Sequence, residues 1–473
     1  DAQCAAAGAQ AAPRRVPAQL ACFCATRCQP MSKRRRRKRL PDPVTNITID
    51  SLSHDGRGVT RLEGKAVFID GALPGEVVSF EYLGTHRNFD EGRVTAVQRA
   101  SPDRVDPRCP HFGVCGGCSL QHMDARAQIR AKQQVLLDNL RHIGNVTPDV
   151  VLPVLTGPVW GYRGKARLAA RYVIKKGRLL VGFRERRTSY VADLTRCEVL
   201  HPSVGEHLPE LAALIDRLAA RERLPQIEVA VSETITALVF RHLDPLGEAD
   251  LEQLRQFAMA RSLHIYLQPG GADTVQLLWP QQSELSYHLP EQDIEIRFRP
   301  TDFTQVNTAI NEQMVARVLQ MLALTQQDQV LDLFCGLGNF TLPMARLAGA
   351  VTGVEGEPGL VGRARDNAVL NGIDNVSFHV ADLAAENPDP NWAAGHYDKV
   401  LLDPPRSGAA AVLPVIGTIR PGKIVYVSCH PGSLARDAGI LVNELGYRLV
   451  AAGVMDMFPH TAHVESSAQF EAD

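Results

Sequence analysis

The 473-residue chain is 45% hydrophobic and 22% charged, enough apolar material for several cores, and its length suits about three domains. No apolar run approaches the roughly 20 residues needed to cross a bilayer, which excludes a helical membrane-spanning protein. The formal net charge of -1 conceals a division: residues 301–473 hold 10 Lys and Arg against 19 Asp and Glu, net -9, and residues 1–300 hold 41 against 33, net +8. A basic front half and an acidic rear half point to polyanion binding in front and chemistry behind.

Asp1 to Pro30 is rich in Ala, Pro and Arg, holds Cys4, Cys22, Cys24 and Cys28, and has neither a helical nor a strand period. Leu20-Ala21-Cys22 faintly resembles a lipidation site. The apolar stretch, however, runs only from Leu20 to Ala25, and a polybasic run follows it, unlike a secretory leader. The expectation is a start-site artefact ahead of Met31, so these four cysteines are set apart from any metal site. Lys33 to Arg39 are seven consecutive cations, which repel one another until they meet phosphates. Residues 1–40 are therefore expected to be disordered, ending in a basic tail.

Residues 41–99 show short strand patterns at Val44 to Ile49, Ala66 to Ile69, Glu76 to Tyr82 and Gly92 to Val97, broken by glycines at close intervals. That rhythm predicts a small β-barrel. The runs Ser53-His54-Asp55-Gly56-Arg57-Gly58-Val59 and Phe68-Ile69-Asp70-Gly71-Ala72-Leu73-Pro74-Gly75-Glu76 resemble a TRAM domain, an OB-like RNA-binding module attached to RNA-modifying enzymes. A generic OB or SH3-like barrel is the plainer alternative.

Residues 100–300 form the expected central α+β domain. Cys109, Cys115 and Cys118 are spaced C-x5-C-x2-C with Gly116 and Gly117 between the last two, and Cys197 is the only later cysteine ahead of the final domain. Four thiolates can hold zinc or an iron–sulfur cluster, and the spacing alone leaves both open. Further on, Arg163, Lys165, Arg167, Arg171, Lys175, Lys176 and Arg178 lie among Tyr162, Tyr172 and Phe183. Cations interleaved with aromatics suit a nucleic-acid groove, although a strand with one solvated face looks the same.

Residues 301–473 read as a doubly wound α/β domain. An amphipathic helix to about Leu324 follows Asp302-Phe303-Thr304-Gln305-Val306-Asn307. Strand and helix signals then alternate through Gln329 to Leu333, Leu342 to Leu347, Val351 to Glu355, Gly359 to Asn371, Val376 to Val380 and Lys399 to Leu402. Such alternation predicts parallel βαβ units with ligands at the carboxyl ends of the strands. The first loop, Asp332-Leu333-Phe334-Cys335-Gly336-Leu337-Gly338-Asn339-Phe340, has two glycines, but Thr341 takes the third glycine place of the dinucleotide fingerprint. With Glu355 ending the second strand, Asp382 after the third and Asp403 after the fourth, the set reads as an S-adenosylmethionine pocket rather than a nicotinamide one.

In Asp403-Pro404-Pro405-Arg406 a cation stands where methyltransferases acting on exocyclic base amines place an aromatic residue, which argues against amine methylation. Carbon methylation needs a nucleophile instead, because C5 of a pyrimidine reacts with a sulfonium methyl only after thiolate addition at C6. Cys429, at the end of a strand in Val427-Ser428-Cys429-His430-Pro431, is the candidate thiol, with nearby cations expected to favour its ionised form. Glu465, in His463-Val464-Glu465, is the candidate base for the C5 proton.

Together the Gln305 motif, the cofactor loop, Asp-Pro-Pro-Arg, the Cys429 motif and His460-Thr461-Ala462-His463-Val464-Glu465 resemble the RNA uracil-C5 methyltransferases over residues 301–467. With the barrel and four cysteines in front, the likeness is strongest to the branch acting on bacterial 23S ribosomal RNA. The resemblance implies a Rossmann-like catalytic domain and 5-methyluridine formation in 23S rRNA, in the cytoplasm, by an expected monomer without membrane contact. It implies cofactor contacts at Gln305, Phe334, Asn339, Glu355, Asp382 and Asp403, Cys429 as nucleophile and Glu465 as base. It also implies a [4Fe–4S] cluster on Cys109, Cys115, Cys118 and Cys197, far from the chemistry in sequence and so assigned to structure or RNA positioning. The family usually has Asn at the place of His430, and Ser466-Ser467-Ala468-Gln469-Phe470 is more polar than its usual final strand. The rival readings are a transfer-RNA uracil-C5 methyltransferase, implied by the resemblance to lack both barrel and cysteine set, and a non-catalytic RNA-binding or redox-sensing protein.

Overall fold

The computed structural model describes residues 39–385 and 390–472. The expectations for the first 30 residues and their four cysteines, and for all of the basic run but Arg39, lie outside them. Strands β1 (Val44–Thr48), β2 (Ser51–Leu52), β3 (Gly58–Leu62), β4 (Lys65–Asp70), β5 (Val77–Thr85) and β6 (Phe89–Arg99) form one sheet in the order β1-β5-β6-β4-β3-β2. Bulges in the long β5–β6 pair bend it around a core of Ile49, Val67, Ile69, Ala72, Val78 and Phe80. Gly92 is required there, since a Cβ would come within 2.5 Å of the Phe80 ring. The strand pattern missed β2 and β3, which are short and sit among polar turn residues.

Helix α1 (Ala125–His142) and strand β7 (Val150–Val151) follow the barrel in sequence but pack on the last sheet: α1 lies against the late helix α9 (Pro431–Asn443), and β7 extends the sheet's edge. Leu136 and Leu140 of α1 share a core with Leu434, Ala438 and Val454. Between these regions, β8 (Lys165–Val173), β9 (Arg178–Gly182), β10 (Gln226–Val231), β11 (Thr236–Arg241), β12 (Leu263–Gln268) and β13 (Gln276–Trp279) make a second six-stranded sheet. The short α2 (Pro202–Gly205) precedes α3 (Leu208–Arg217), and Leu211 of α3 with Leu254 of α4 (Glu248–Arg261) covers Leu168, Val229 and Leu238. A hairpin of β14 (Leu285–Leu289) and β15 (Ile294–Phe298) then leads into the third region.

There, α5 (Thr308–Leu322), β16 (Gln329–Leu333), α6 (Thr341–Ala345), β17 (Ala350–Glu355), α7 (Pro358–Leu370), β18 (Val376–Val380), β19 (Lys399–Leu402), α8 (Leu413–Ile419) and β20 (Lys423–Ser428) alternate as expected, followed by α9, β21 (Tyr447–Met455) and β22 (Glu465–Ala472). The eight-stranded sheet runs β18-β17-β16-β19-β20-β22-β21-β7. Strands β16 to β20 are mutually parallel, and β22 inserts antiparallel between β20 and β21. Strand order reverses at β16, whose neighbours are β17 and β19, so a crevice opens beyond the carboxyl ends of these strands. The polar final strand is interior: Ser466 and Ser467 are fully buried, and Ser466 Oγ donates to Ser428 O at 3.2 Å, tying β22 to β20. Among the described residues no helix is long and apolar enough to cross a membrane.

Candidate active site

The loop after β16 turns on backbone conformations that glycine adopts freely: Gly336 has φ +56° and Gly338 +90°, with Phe334 also left-handed at +67°. This exposes the Gly336 N–H to Glu355, at the end of β17, whose carboxylate accepts from Gly336 N at 3.2 Å and Glu357 N at 3.1 Å. Asp382 is exposed after β18 and folds back on Ala384 N. Asp403 follows β19, its N–H donating to Leu333 O. The two glycines, Glu355 and Asp403 thus meet at the switch point, while Gln305 lies in the segment leading into α5. Asn339 directs its side chain elsewhere: it exchanges two amide hydrogen bonds with Asn311 at 3.0 Å and accepts from Tyr287 Oη at 2.8 Å, which locks the loop against α5 and β14.

Asp332 belongs to this set and was not singled out in sequence. Its carboxyl group is fully buried, accepts from Thr341 Oγ1 at 2.6 Å, and has no partner for Oδ1. Burial pushes it up to about 8, and burial pushes Asp403 up to about 7. A crevice rimmed by desolvated carboxyl groups, with a glycine loop beneath, suits a cationic ligand carrying ribose hydroxyls, and S-adenosylmethionine has both features.

Cys429 stands just past β20 and Glu465 opens β22. Because Ser428 pairs with Ser466 in the antiparallel register, the next position brings the thiol and the carboxyl side by side at the sheet's edge. Glu465 is buried and is pushed up to about 8 by burial and then by Asp403. Cys429 is half-buried and pushed up to about 11 by burial, Glu465 and Asp403, with Arg406 pulling the other way. The expectation that nearby cations favour the thiolate is therefore reversed: Arg406 is outweighed by two carboxyl groups and desolvation. Cys335 is the other cysteine of this region, and its burial behind the cofactor loop leaves Cys429 as the accessible thiol.

His430 resolves its departure from Asn. It is the N-cap of α9, and its Nδ1 accepts from Ser433 N at 3.1 Å, the bond an Asn side-chain oxygen makes at that position. The neutral ring must then carry its proton on Nε2, and burial followed by Arg406 lowers its pKa, in keeping with that form.

A cleft of about 920 Å³ opens over Cys429, and its walls come from three regions: His54 and Asp55 of the barrel, Cys118 of the cysteine loop, and Arg406, Cys429 and His463. Arg163 and Phe183 complete it, with the Arg163 guanidinium 5.8 Å from the Phe183 ring centroid. A second groove of about 760 Å³ shares Phe183 and adds Arg57, Arg184, Arg186 and Arg187. Of the interleaved cations and aromatics expected to face RNA, several are otherwise engaged. Tyr162 is buried with its hydroxyl on Pro459 O. Lys165 donates to Pro300 O, Arg167 pairs with Glu228, and Lys176 and Arg178 share Asp193. The topology that joins barrel, cysteine loop and catalytic edge leaves no trace in local sequence, so the composite wall was not legible.

Cys109, Cys115, Cys118 and Cys197 line one small, largely apolar cavity with Phe112, Phe183 and Leu194. All four are free thiols. Cys115 Sγ accepts from Gly117 N at 3.4 Å. Burial, reinforced by the neighbouring thiols, pushes Cys115 up to about 11 and Cys118 up to about 12. Four desolvated sulfurs are unfavourable as free thiolates and favourable as ligands of a positively charged centre. The donor set, four cysteine sulfurs on one small cavity, fits a thiolate-ligated centre.

The chain matches a tRNA (Uracil-5-)-methyltransferase family model over residues 160–390 and 391–472, and a TRAM domain model over residues 43–95. It is 54% identical over 440 residues to a 23S rRNA (uracil(1939)-C(5))-methyltransferase RlmD of Xanthomonas campestris pv. campestris, covering 92% of this chain and 99% of that one. It is also 54% identical over 442 residues to the protein of the same name from Methylococcus capsulatus, covering 93% and 100%. Among solved structures, Pyrococcus abyssi tRNA (uracil-54, C5)-methyltransferase in complex with S-adenosyl-L-homocysteine superposes with a TM-score of 0.68 at 23% identity, over 90% of this chain and 100% of that one. That likeness concerns fold alone.

The capping geometry makes a direct prediction. Replacing His430 by Asn keeps the acceptor and leaves thermal stability within about 0.5 kcal/mol, whereas His430→Ala removes it and costs about 1 kcal/mol, measurable as a lowered unfolding midpoint.

Proposed function

The chain belongs to the RNA uracil-C5 methyltransferase family, and from that premise we propose that it methylates C5 of a 23S rRNA uridine equivalent to position 1939, with Cys429 as nucleophile and Glu465 as base. The observation that carries the residue assignment is the β20–β22 register, which sets one accessible thiol, in the cleft, beside one buried carboxyl group at the neighbouring strand end. The choice of 23S rRNA rests on full-length identity of 54% to proteins named for that substrate.

A target uridine must leave its stack to reach the cleft, costing a few kcal/mol, and Phe183 and Arg163 offer the flipped base an aromatic and cationic wall. Cys429 loses its proton toward the solvent-facing cleft and its sulfur bonds to C6, moving the C5–C6 π electrons onto C5 and O4 as an enolate. Arg406 opposes the accumulating negative charge. When bound, S-adenosylmethionine supplies an electrophilic methyl group to C5; Gln305, Phe334, Glu355, Asp382 and Asp403 hold it, and Asn339 fixes the loop beneath it. Glu465 then takes the C5 proton, the C5–C6 double bond re-forms, and the Cys429 sulfur leaves as thiolate. Burial makes Glu465 a stronger base than a solvated carboxylate, which suits that step.

Cys109, Cys115, Cys118 and Cys197 would hold a [4Fe–4S] cluster in this reading, which would tie the 109–118 segment to the segment around Cys197. Four thiolates can hold either zinc or such a cluster, and the colour of the protein separates the two. Protein isolated without oxygen is expected to be brown, with broad visible absorption bleached by dithionite, and a colourless protein with one equivalent of zinc would overturn the assignment.

Cys429→Ala should abolish methylation of unmodified 23S rRNA, with wild-type product mapped to the one uridine and none on transfer RNA. Glu465→Gln should methylate once and stay covalently attached to the RNA, visible as a shifted band in a denaturing gel; prompt release of free product would exclude Glu465 as base. Its raised pKa also sets a pH profile. The working form is the carboxylate, so adduct release in the wild type should rise about tenfold per pH unit below about 8 and level off above it. A flat profile from pH 6 to 9 would contradict this.

A further inference from the structure

Glu465 lies at the end of a loop that is anchored from outside the catalytic sheet. Ser119 N and Leu120 N both donate to His460 O, at 2.9 and 3.0 Å. Ser119 Oγ accepts from Ala462 N at 3.0 Å. Gln128 of α1 closes the arrangement: its Oε1 accepts from His460 N at 2.8 Å, and its Nε2 reaches His460 Nδ1 at 3.1 Å and Leu120 O at 3.0 Å. On the loop's other flank Lys132 Nζ donates to Asp456 Oδ1 at 2.7 Å and Phe458 O at 2.9 Å, a pair only 3% and 4% exposed.

His460 itself is held left-handed at φ +64°, with its ring stacked on Trp160 at 3.8 Å between centroids. A non-glycine residue keeps that conformation only where its surroundings impose it, and here Ser119, Leu120, Gln128 and Trp160 do so. Three residues later comes His463, in the cleft wall, and two after that Glu465. The residue immediately before Ser119 is Cys118, which belongs at once to the cysteine cavity and to the cleft over Cys429. The four-cysteine site and the catalytic carboxyl, far apart in sequence, are therefore separated by one short, fully hydrogen-bonded path.

We propose that Cys118-Ser119-Leu120 is a positioning strap: filling the cysteine site fixes Cys118, the strap then fixes the 456–464 loop, and the loop sets Glu465 for proton abstraction. Ser119 is thus a positioning residue for the second half of the reaction and not for the first, since Cys429 sits just past β20, outside the strapped loop. The inference rests on the reading of Glu465 as base. Cysteine-site occupancy would accordingly govern release of the covalent RNA adduct more than its formation, because small displacements of a base cost rate steeply.

The test uses the full, cluster-loaded chain with unmodified 23S rRNA in single turnover, following methyl incorporation and adduct release separately, together with amide hydrogen exchange. Ser119→Ala should incorporate methyl within about twofold of wild type, release product roughly fivefold more slowly, as loss of one well-placed hydrogen bond implies, and exchange faster across 457–464. Ser119→Thr, which keeps the hydroxyl, should restore release. Wild-type protein stripped of its cluster should show the same faster exchange at 457–464 with the β3–β4 strands of the barrel unchanged. Normal release by Ser119→Ala, or exchange at 457–464 indifferent to both changes, would overturn the strap. A Glu465→Gln protein that accumulates no adduct would refute the base assignment instead, and the exchange arm would still decide whether the strap exists.

Discussion

One antiparallel strand inserted into an otherwise parallel sheet is the constraint on which the site depends. The parallel strands β16 to β20 can deliver side chains to the crevice only from their carboxyl ends, and Asp403 and Cys429 arrive that way. β22 runs in the opposite sense, so its amino end reaches the same edge, and its first residue, Glu465, meets the last turn of β20. The seating of β22 is enforced in the interior by polar residues that a buried strand usually lacks. Ser466 bonds to the β20 backbone, and a slip of one residue would move Glu465 to the opposite face of the sheet.

Desolvation gives that edge its chemistry. Burial holds Glu465, Asp403 and Asp332 each above the ordinary carboxylate range, and the Asp403 charge adds to the effect on the other two. The same field raises the Cys429 thiol. A site with this electrostatic setting is poor at ionising its own nucleophile until cationic charge enters. The proposed methyl donor is a sulfonium, and Arg406 is already beside the thiol. The acidic rear half of the sequence thus has a local counterpart: the carboxyl groups that suit a cationic cofactor are the ones that keep the thiol protonated without it.

Where single elements decide structure, the sequence was readable. Gln329–Leu333 and Lys399–Leu402 coincide with their predicted strands because buried parallel strands are largely apolar runs bounded by turn residues; the edge strand Val376–Val380 does so through its alternation of apolar and polar residues. The thiol, the carboxyl and the four cysteines were legible as residue types at telling positions. What could not be read was set by packing between distant segments. Helix α1, ahead of the central sheet in sequence, belongs to the catalytic core through Leu136 and Leu140; Tyr162, expected to stack on a base, is buried against the 456–464 loop. Asn339 proved to be bound by Tyr287 and Asn311, partners that only the fold brings near. His430 shows the reverse: an unusual residue whose ring nitrogen occupies the place of an amide oxygen, so that chemistry is conserved where identity is not.

The barrel's contribution is better understood from what it touches than from its presence. Arg187, in the loop beyond β9, bridges Asp70 and Glu91 of the barrel at 3.2 and 3.4 Å, and Arg57 pairs with Glu91 at 2.7 Å. These charges, exposed by a sixth to about a third on their arginine sides, contribute little stability individually. Arg184 and Arg186 line the same groove, beside the acidic Asp55, Asp70, Glu91 and Glu185, and it shares Phe183 with the cleft over Cys429. Polyanion affinity follows the number of free cations along such a groove, whereas selection among RNAs follows the shape that lets one base reach the thiol. His54, Cys118 and His463, from three separate stretches of the chain, meet in the wall of the cleft over Cys429.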